Sequence, residues 1–380
     1  MRIAVNTRLL LSGRLDGIGW FTCESLRRIV VAHPEHEFFF LFDRKPDSQF
    51  LFSPNVHPVV LHPQARHPLL WQIYFECSVP LILRKLNVDL FVSTDGWMPL
   101  HCNIPVLDVI HDLNFEHSPD FLRPSHQRYM KYFFPRFARN ATRIATVSEF
   151  SKKDIVDTYG VDSMKIDVVY NGSHDFYQPC SEQQRQCVRN LYSDGKPFFI
   201  FIGTISKRKN LANILLAYDM FRKTHPDCQM RMLVVGSRYG SYPELDVALN
   251  TIEYKDDIVF VGHVESKLLS QLLASADALV YASVFEGFGI PIVEAFYAET
   301  AVITADVTSM PEVAGDAALL VNPFSVDDIA HAMNRLADEP GLREELIARG
   351  RERRTLFSWH RTAGLLWQSM MATVAQSHIN

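Results

Sequence analysis

Two successive series of short apolar stretches, each stretch followed by a longer amphipathic one, limit what this chain can fold into. Arg2–Asn6, Glu37–Phe42, Val56–Leu61, Leu90–Ser93, Pro105–Ile110 and Arg143–Val147 read as strands of the first series. Glu24–Ala32, Trp71–Leu86, Ser125–Asn140 and Glu149–Tyr159 read as the helices between them. Strands that are apolar on both faces and separated by helices belong to a parallel sheet covered on both sides. The second series begins after "VVYNGSHDFYQP". Its expected strands are Phe198–Ile202, Arg231–Val235, Ile258–Val261, Ala278–Tyr281, Ala301–Thr304 and Ala318–Val321. Its expected helices are Leu211–Thr224, Ser266–Ala274, Ile292–Phe296 and Val326–Ala337. The chain is thus read as two α/β domains, residues 1–175 and 176–355, with a polar linker near Asn171–Lys196. The tail, 356–380, carries Trp359, Leu365, Leu366, Trp367, Met370 and Met371 at helical spacing, so a final helix that packs on a domain is expected.

A length of 380 residues suits two cores rather than one. The net charge of −5 argues against nucleic acid as a partner. Six scattered cysteines, with no CxxC pair, point to a reduced, cytoplasmic protein without a structural zinc site. The N-terminus reads as no signal peptide, and no apolar run approaches the length of a spanning helix.

The stretch most informative about chemistry is "SVFEGFGIPIVEAFY", Ser283–Tyr297. It is expected to join the end of a strand to the start of a helix, with Pro291 as the first helical residue, where its missing N–H costs nothing, and Glu294 in the first turn. Gly287 and Gly289 let a ligand approach the main chain, and the helix start adds unpaired N–H groups with a partial positive charge. An anion site at the carboxyl end of a parallel strand follows, and a diphosphate fits it. Glu286 and Glu294 flank that site and suit hydroxyls rather than phosphate, as a nucleotide sugar requires. The plainer reading keeps Glu294 as a helix-start charge and Glu286 as a solvated loop residue.

"FEGFGIPIVEA" resembles the Glu-x7-Glu signature of the group 1 glycosyltransferases, glycosyltransferase family 4. The resemblance implies the α/β GT-B architecture, two Rossmann-like domains with parallel sheets facing a central cleft and a C-terminal helix crossing back to the first domain. It implies a retaining enzyme that takes a nucleotide-diphosphate sugar, with neither cofactor nor metal. Within it, Gly287, Phe288, Gly289 and Ile290 line the donor phosphates, Glu286 holds the sugar and Glu294 the ribose. "GTISKRKN" supplies Lys209 where the family has a lysine. The family's earlier arginine is Thr204 here, with Arg208 as a substitute. His111, after a first-domain strand, matches a histidine that faces the donor sugar. His111, Lys209 and Glu286 are therefore the implied catalytic set. Val264, after Val261–His263, falls where the family meets the base through its backbone. Gly17 and Gly19 fall in what the family has as a glycine-rich loop over the cleft. As a dinucleotide fingerprint that stretch is broken, since the third glycine position is Thr22, although Asp43 stands at a suitable distance for a dehydrogenase.

The implied partners are a nucleotide-sugar donor, GDP-mannose by resemblance to mannosyltransferase members, and a glycan or lipid-linked acceptor in polysaccharide biosynthesis. Residues 121–143 interleave Arg123, Arg128, Lys131, Arg136, Arg139 and Arg143 with Phe121, Tyr129, Tyr132, Phe133, Phe134 and Phe137. Such a helix suits peripheral contact with the inner face of an anionic membrane, against the ordinary alternative that its aromatics face a core. A nucleotide-sugar epimerase of the same architecture and a non-catalytic sugar-nucleotide binder are the competing functional readings.

Overall fold

The computed structural model describes residues 1–13, 15–117 and 124–377. It divides into two compact units, Met1–Gly172 with Trp359–Asn380, and Ser173–Ser358. In the first, seven strands form one sheet: β1 (Arg2–Asn6), β2 (Glu37–Phe42), β3 (Val56–Val60), β4 (Leu90–Ser93), β5 (Val106–Val109), β6 (Arg143–Thr146) and β7 (Ile166–Val168). In the second, six do: β8 (Phe198–Ile202), β9 (Arg231–Val235), β10 (Ile258–Gly262), β11 (Ala278–Tyr281), β12 (Ala301–Ala305) and β13 (Leu319–Val321).

The spatial orders are β3-β2-β1-β4-β5-β6-β7 and β10-β9-β8-β11-β12-β13, and every pairing is parallel. Both are the doubly wound Rossmann order. Each reverses direction once, between β1 and β4 and between β8 and β11. At such a reversal the chain leaves adjacent strand ends toward opposite faces and opens a crevice, which is where ligands bind in this architecture. Strands β4, β5, β8 and β11 are buried from end to end, as sheet-centre positions covered on both faces require. Trp71, Tyr74, Phe75, Phe91 and Trp97 anchor the first core; Phe199, Phe201, Tyr218 and Phe221 anchor the second.

The last helix, Trp359–Ser377, packs on the helix Gly17–Ala32 of the first unit. There Trp367 stacks on His33 at 3.8 Å between ring centroids. Four regions depart from the sequence reading. The stretch 171–196 is not all linker: Glu182–Tyr192 is a helix, opened by a capping box of Ser181 and Gln184. The helices Pro243–Thr251 and Leu342–Arg353 and the short strand β7 were also unexpected. Helix 71–86 begins earlier, at Pro68, and passes through a π turn over Tyr74–Ser78. Gly17 and Gly19 are not in a loop. They form the first helical turn, and Asp16 caps it by accepting the Gly19 N–H at 2.9 Å. That amide is therefore not available to a phosphate.

The ends of β8 and β9 come unusually close. A Cβ built on Gly236 would lie 1.9 Å from the Gly203 carbonyl oxygen, and Gly236 has φ of 144°. Gly236→Ala should cost at least about 2 kcal/mol through clash and backbone strain, a loss readable as a lowered thermal midpoint.

Candidate active site

In the second unit the functional side chains collect at the switch point. The residues after β8 and those after β11 face each other there, tied by the Val284 N–H donating to the Arg208 carbonyl at 2.9 Å. Lys209 runs past Gly203 to the crevice floor. A Cβ on Gly203 would touch the lysine stem, 3.5 Å from its Cε. The Lys209 Nζ donates to Glu286 Oε1 at 2.7 Å and to the Tyr281 hydroxyl, and lies 4.6 Å from the Tyr281 ring centroid. Arg208 Nη1 pairs with Glu286 Oε2 at 2.7 Å and donates to the Phe285 carbonyl at 2.8 Å. Lys209, Glu286 and Glu294 are all buried.

Asn210 holds the N-cap position of the helix Leu211–Thr224 but makes no side-chain capping bond. It adopts φ of 60° and donates from its side chain to the Ala282 and Pro323 carbonyls. Its role is to clamp the lysine loop onto the strand ends. The glutamate loop is fixed from beneath: the Glu286 N–H donates to Thr308 Oγ1, and Ser309 Oγ donates to the Glu286 carbonyl. Gly289 then takes φ of 98° and opens the helix Ile290–Ala298, with Pro291 at its second position. Gly289 and Ile290 start that helix, where amide N–H groups lack an intrahelical acceptor. Phe288 is turned inward and meets Phe357 edge to face.

The two glutamates have opposite environments. Burial alone would raise the Glu286 pKa, but Arg208 and Lys209 overcome it and hold the carboxyl down at about 2. It is a permanent anion, so it also keeps both cations charged and in place. Glu294 is the fifth residue of its helix, one position further in than the sequence suggested and past the first turn, where the helix-start effect fades. Burial pushes its pKa up to about 7, partly opposed by a hydrogen bond from Tyr177. Near neutrality it is therefore poised between a donor and an acceptor. Tyr281 and Tyr177 were not singled out in the sequence. Val264 follows β10 and is half-buried, beside exposed His263.

In the first unit, His111 follows β5. Its Nε2 lies 2.9 Å from the Thr94 carbonyl and its ring meets Phe21 edge-on. A carbonyl only accepts, so Nε2 carries the proton. Burial lowers the ring's pKa, against the pull of Thr94 and the nearby Asp112, Asp95 and Asp16. The ring is thus neutral, with Nδ1 as its acceptor. Asp112 accepts from the Asn114 N–H at 3.0 Å and orients the next turn.

The helix Pro124–Asn140 buries Phe134 and Phe137 and packs Tyr129 and Phe133 against the core. Its aromatics are therefore largely committed inward, while Arg128, Lys131 and Tyr132 are exposed. Phe121 and Arg123 lie outside the described residues. Among the described residues, no helix is long and apolar enough to cross a membrane.

Comparison with known proteins agrees along most of the chain. Residues 183–353 match the family described as glycosyl transferases group 1, and residues 22–174 match glycosyltransferase family 4. The chain is 29% identical to O-antigen chain mannosyltransferase B of Escherichia coli over 365 residues, 91% of this chain and 93% of that one. It is 27% identical to an O-antigen chain mannosyltransferase of Salmonella typhimurium over 274 residues, 71% of each chain. Among solved structures, the Anabaena protein HepE in complex with UDP and glucose aligns with a TM-score of 0.76 at 15% identity, covering 98% of this chain and 99% of that one. A sucrose-phosphate synthase from Thermosynechococcus elongatus aligns at 0.77 and 18% identity, over 98% and 99%. These structural likenesses carry the GT-B fold.

The Glu286 pair sets an acid-side expectation. Its pKa is about 2 in the folded chain against 4.5 as the ordinary value, so its contribution is complete above pH 4.5 and is lost as pH falls toward 2. Glu286→Gln should therefore destabilise the protein at pH 7 by about 3 kcal/mol, since two cations lose their partner. Unfolding measured across pH should show wild type and variant converging as pH falls through that window.

Proposed function

Because this chain belongs to the group 1 glycosyltransferases, glycosyltransferase family 4, we propose that it transfers mannose from GDP-mannose, with retention, to a glycan or lipid-linked acceptor in polysaccharide biosynthesis. That it is a glycosyltransferase using a nucleotide-sugar donor follows from the family. The mannosyl donor and the polysaccharide setting are supported by the relatives named as O-antigen chain mannosyltransferases. The observation that carries the chemistry is the Arg208–Glu286–Lys209 cluster beside the Gly289–Ile290 helix start.

The bond between the anomeric carbon and the β-phosphate oxygen breaks, and negative charge grows on the departing diphosphate. Fixed cations and amides aimed at that charge lower the barrier without reorganising. Lys209 and Arg208 supply the cations, and the backbone of Gly287, Phe288, Gly289 and Ile290 supplies the dipoles. Glu286 accepts hydrogen bonds from the sugar hydroxyls while anchoring both cations. Glu294 accepts from the ribose hydroxyls, and Val264 meets the base through its backbone. The acceptor oxygen attacks from the face the diphosphate leaves, and its proton passes to a diphosphate oxygen. In this reading His111 is the first unit's contribution, a neutral ring oriented by Thr94. The protein's own cations take the place of a divalent ion.

Nucleoside-diphosphate release, followed across a panel of nucleotide sugars with and without added acceptor, tests this reading. GDP-mannose should give the fastest release, and Lys209→Ala should slow it by about 10²-fold or more. Full activity in that variant, or activity abolished by a chelator and restored by a divalent ion, would overturn it. An epimer formed from the donor without acceptor would instead favour the isomerase. Donor affinity should rise as pH climbs through about 7, because Glu294 must lose its proton to accept from both hydroxyls. Glu294→Gln should bind more weakly and show no such pH dependence.

A further inference from the structure

The first unit contains a cavity that the donor chemistry leaves unused. About 400 Å³ in volume, it opens at the carboxyl ends of β1 and β2 and is lined by Arg8, Leu10, Ser12, Arg44, Lys45 and Asp47, among others. Two arginines there are paired with carboxylates that do not line the cavity. Arg8 is buried; its Nε donates to Asp95 Oδ2 at 2.7 Å, its Nη1 lies 3.3 Å from the Ala65 carbonyl, and its plane lies near Phe75 and Trp97. Asp95 is held in turn by the Asn6 side-chain amide at 2.8 Å. Arg44 is paired in fork fashion with buried Asp43, Nε to Oδ1 at 2.5 Å and Nη2 to Oδ2 at 2.7 Å. Asp43 also accepts the Ala65 N–H. Lys45 is exposed and has no partner among the described residues.

This arrangement differs from a solvated basic turn. Asp43 and Asp95 neutralise the arginines in charge count, yet neither aspartate lines the cavity. Among the described residues, Nη2 of Arg8 and Nη1 of Arg44 make no hydrogen bond. Those N–H edges and the Lys45 ammonium give the wall fixed donors, alongside the Asp47 carboxylate and the Ser12 hydroxyl. Asp47, the acid on its wall, is engaged in accepting the Gln49 N–H at 3.1 Å. The opposite wall is tied by the Gln49 side chain donating to Ser12 Oγ at 2.7 Å. Planar guanidinium forks match phosphate oxygens, and preorganisation lowers the ordering cost of binding.

We infer that this cavity binds a phosphate group of the acceptor, with Arg8, Arg44 and Lys45 as its ligands. The inference rests on the transferase reading and deepens it: the acceptor is a phosphorylated saccharide, either free or attached to a prenyl-type diphosphate lipid. Arg44 and Lys45 are binding residues here, and Arg8 is the buried floor.

The test uses the full chain saturated with GDP, so that the donor crevice is filled, with inorganic phosphate as the probe and the thermal midpoint as the readout. Phosphate should raise the midpoint further. Lys45→Gln and Arg44→Lys should each weaken the apparent affinity about tenfold or more, the second because it keeps the charge and loses the fork. An unchanged midpoint without phosphate shows that a variant is folded. Glucose 1-phosphate and geranyl diphosphate, run in parallel, separate the two sources: equal affinity assigns a soluble phosphorylated acceptor, and tighter binding of the prenyl compound assigns a lipid headgroup. A phosphate response identical in wild type and both variants would overturn the inference. The midpoint rise with GDP alone reports the donor reading separately, so either can fail without the other.

Discussion

The arrangement of the second unit turns on one buried ion pair, Lys209 with Glu286. Two charges so far from water are tolerable only when each is the other's counter-ion and the remaining lone pairs are met. Arg208 adds a second cation on the other carboxylate oxygen, and Tyr281 a hydroxyl and a ring face beside the ammonium. The surrounding backbone serves this arrangement. Gly203 packs beside the lysine stem, Asn210 in a left-handed conformation clamps the loop, and Thr308 and Ser309 fix the glutamate's backbone. The result is a surplus positive charge whose position is set before any ligand arrives, beside a helix start that adds dipoles of the same sense.

The first unit uses the same winding differently. Its switch point also gathers polar groups, Asn6 and Arg8 after β1 and Asp95 after β4, but here arginine and aspartate are paired within the floor. His111, one strand along, is neutral and directed by a carbonyl. The same topology thus yields one unit built around a surplus cation and another built around balanced pairs with outward-facing donor edges. Topology fixes where a site falls, and the side chains at the strand ends decide what it can hold.

The central strands were legible because a strand buried on both faces has to be apolar throughout, and "FFIFI" or "ALVY" allows little else. Lys209 and Glu286 were found through motif register, and the structure brings them within hydrogen-bonding distance. Other parts obeyed weaker signals. The helix Glu182–Tyr192 is so polar that it resembles a linker; only the Ser181-x-x-Gln184 pair announced its start. Leu342–Arg353, rich in arginine and glutamate, has scarcely an apolar face. Gly17 and Gly19 suggested a loop, although Asp16 immediately before them is a standard capping residue. Tyr281 and Tyr177 were invisible as site residues, since a tyrosine closing an apolar strand or lying in a connecting stretch reads first as packing. The burial that moves Glu294 toward neutrality depends on contacts that no local pattern encodes.

The return of Trp359–Ser377 to the first unit carries a consequence for how the chain is made. Ser173–Ser358 is continuous and can condense as soon as it has been synthesised, whereas the earlier unit lacks one of its covering helices until Trp359–Ser377 has also been made. Until then the side of Gly17–Ala32 that will meet Trp367 stays uncovered. Of the two units, the one whose strands are made earlier is therefore the one that closes later.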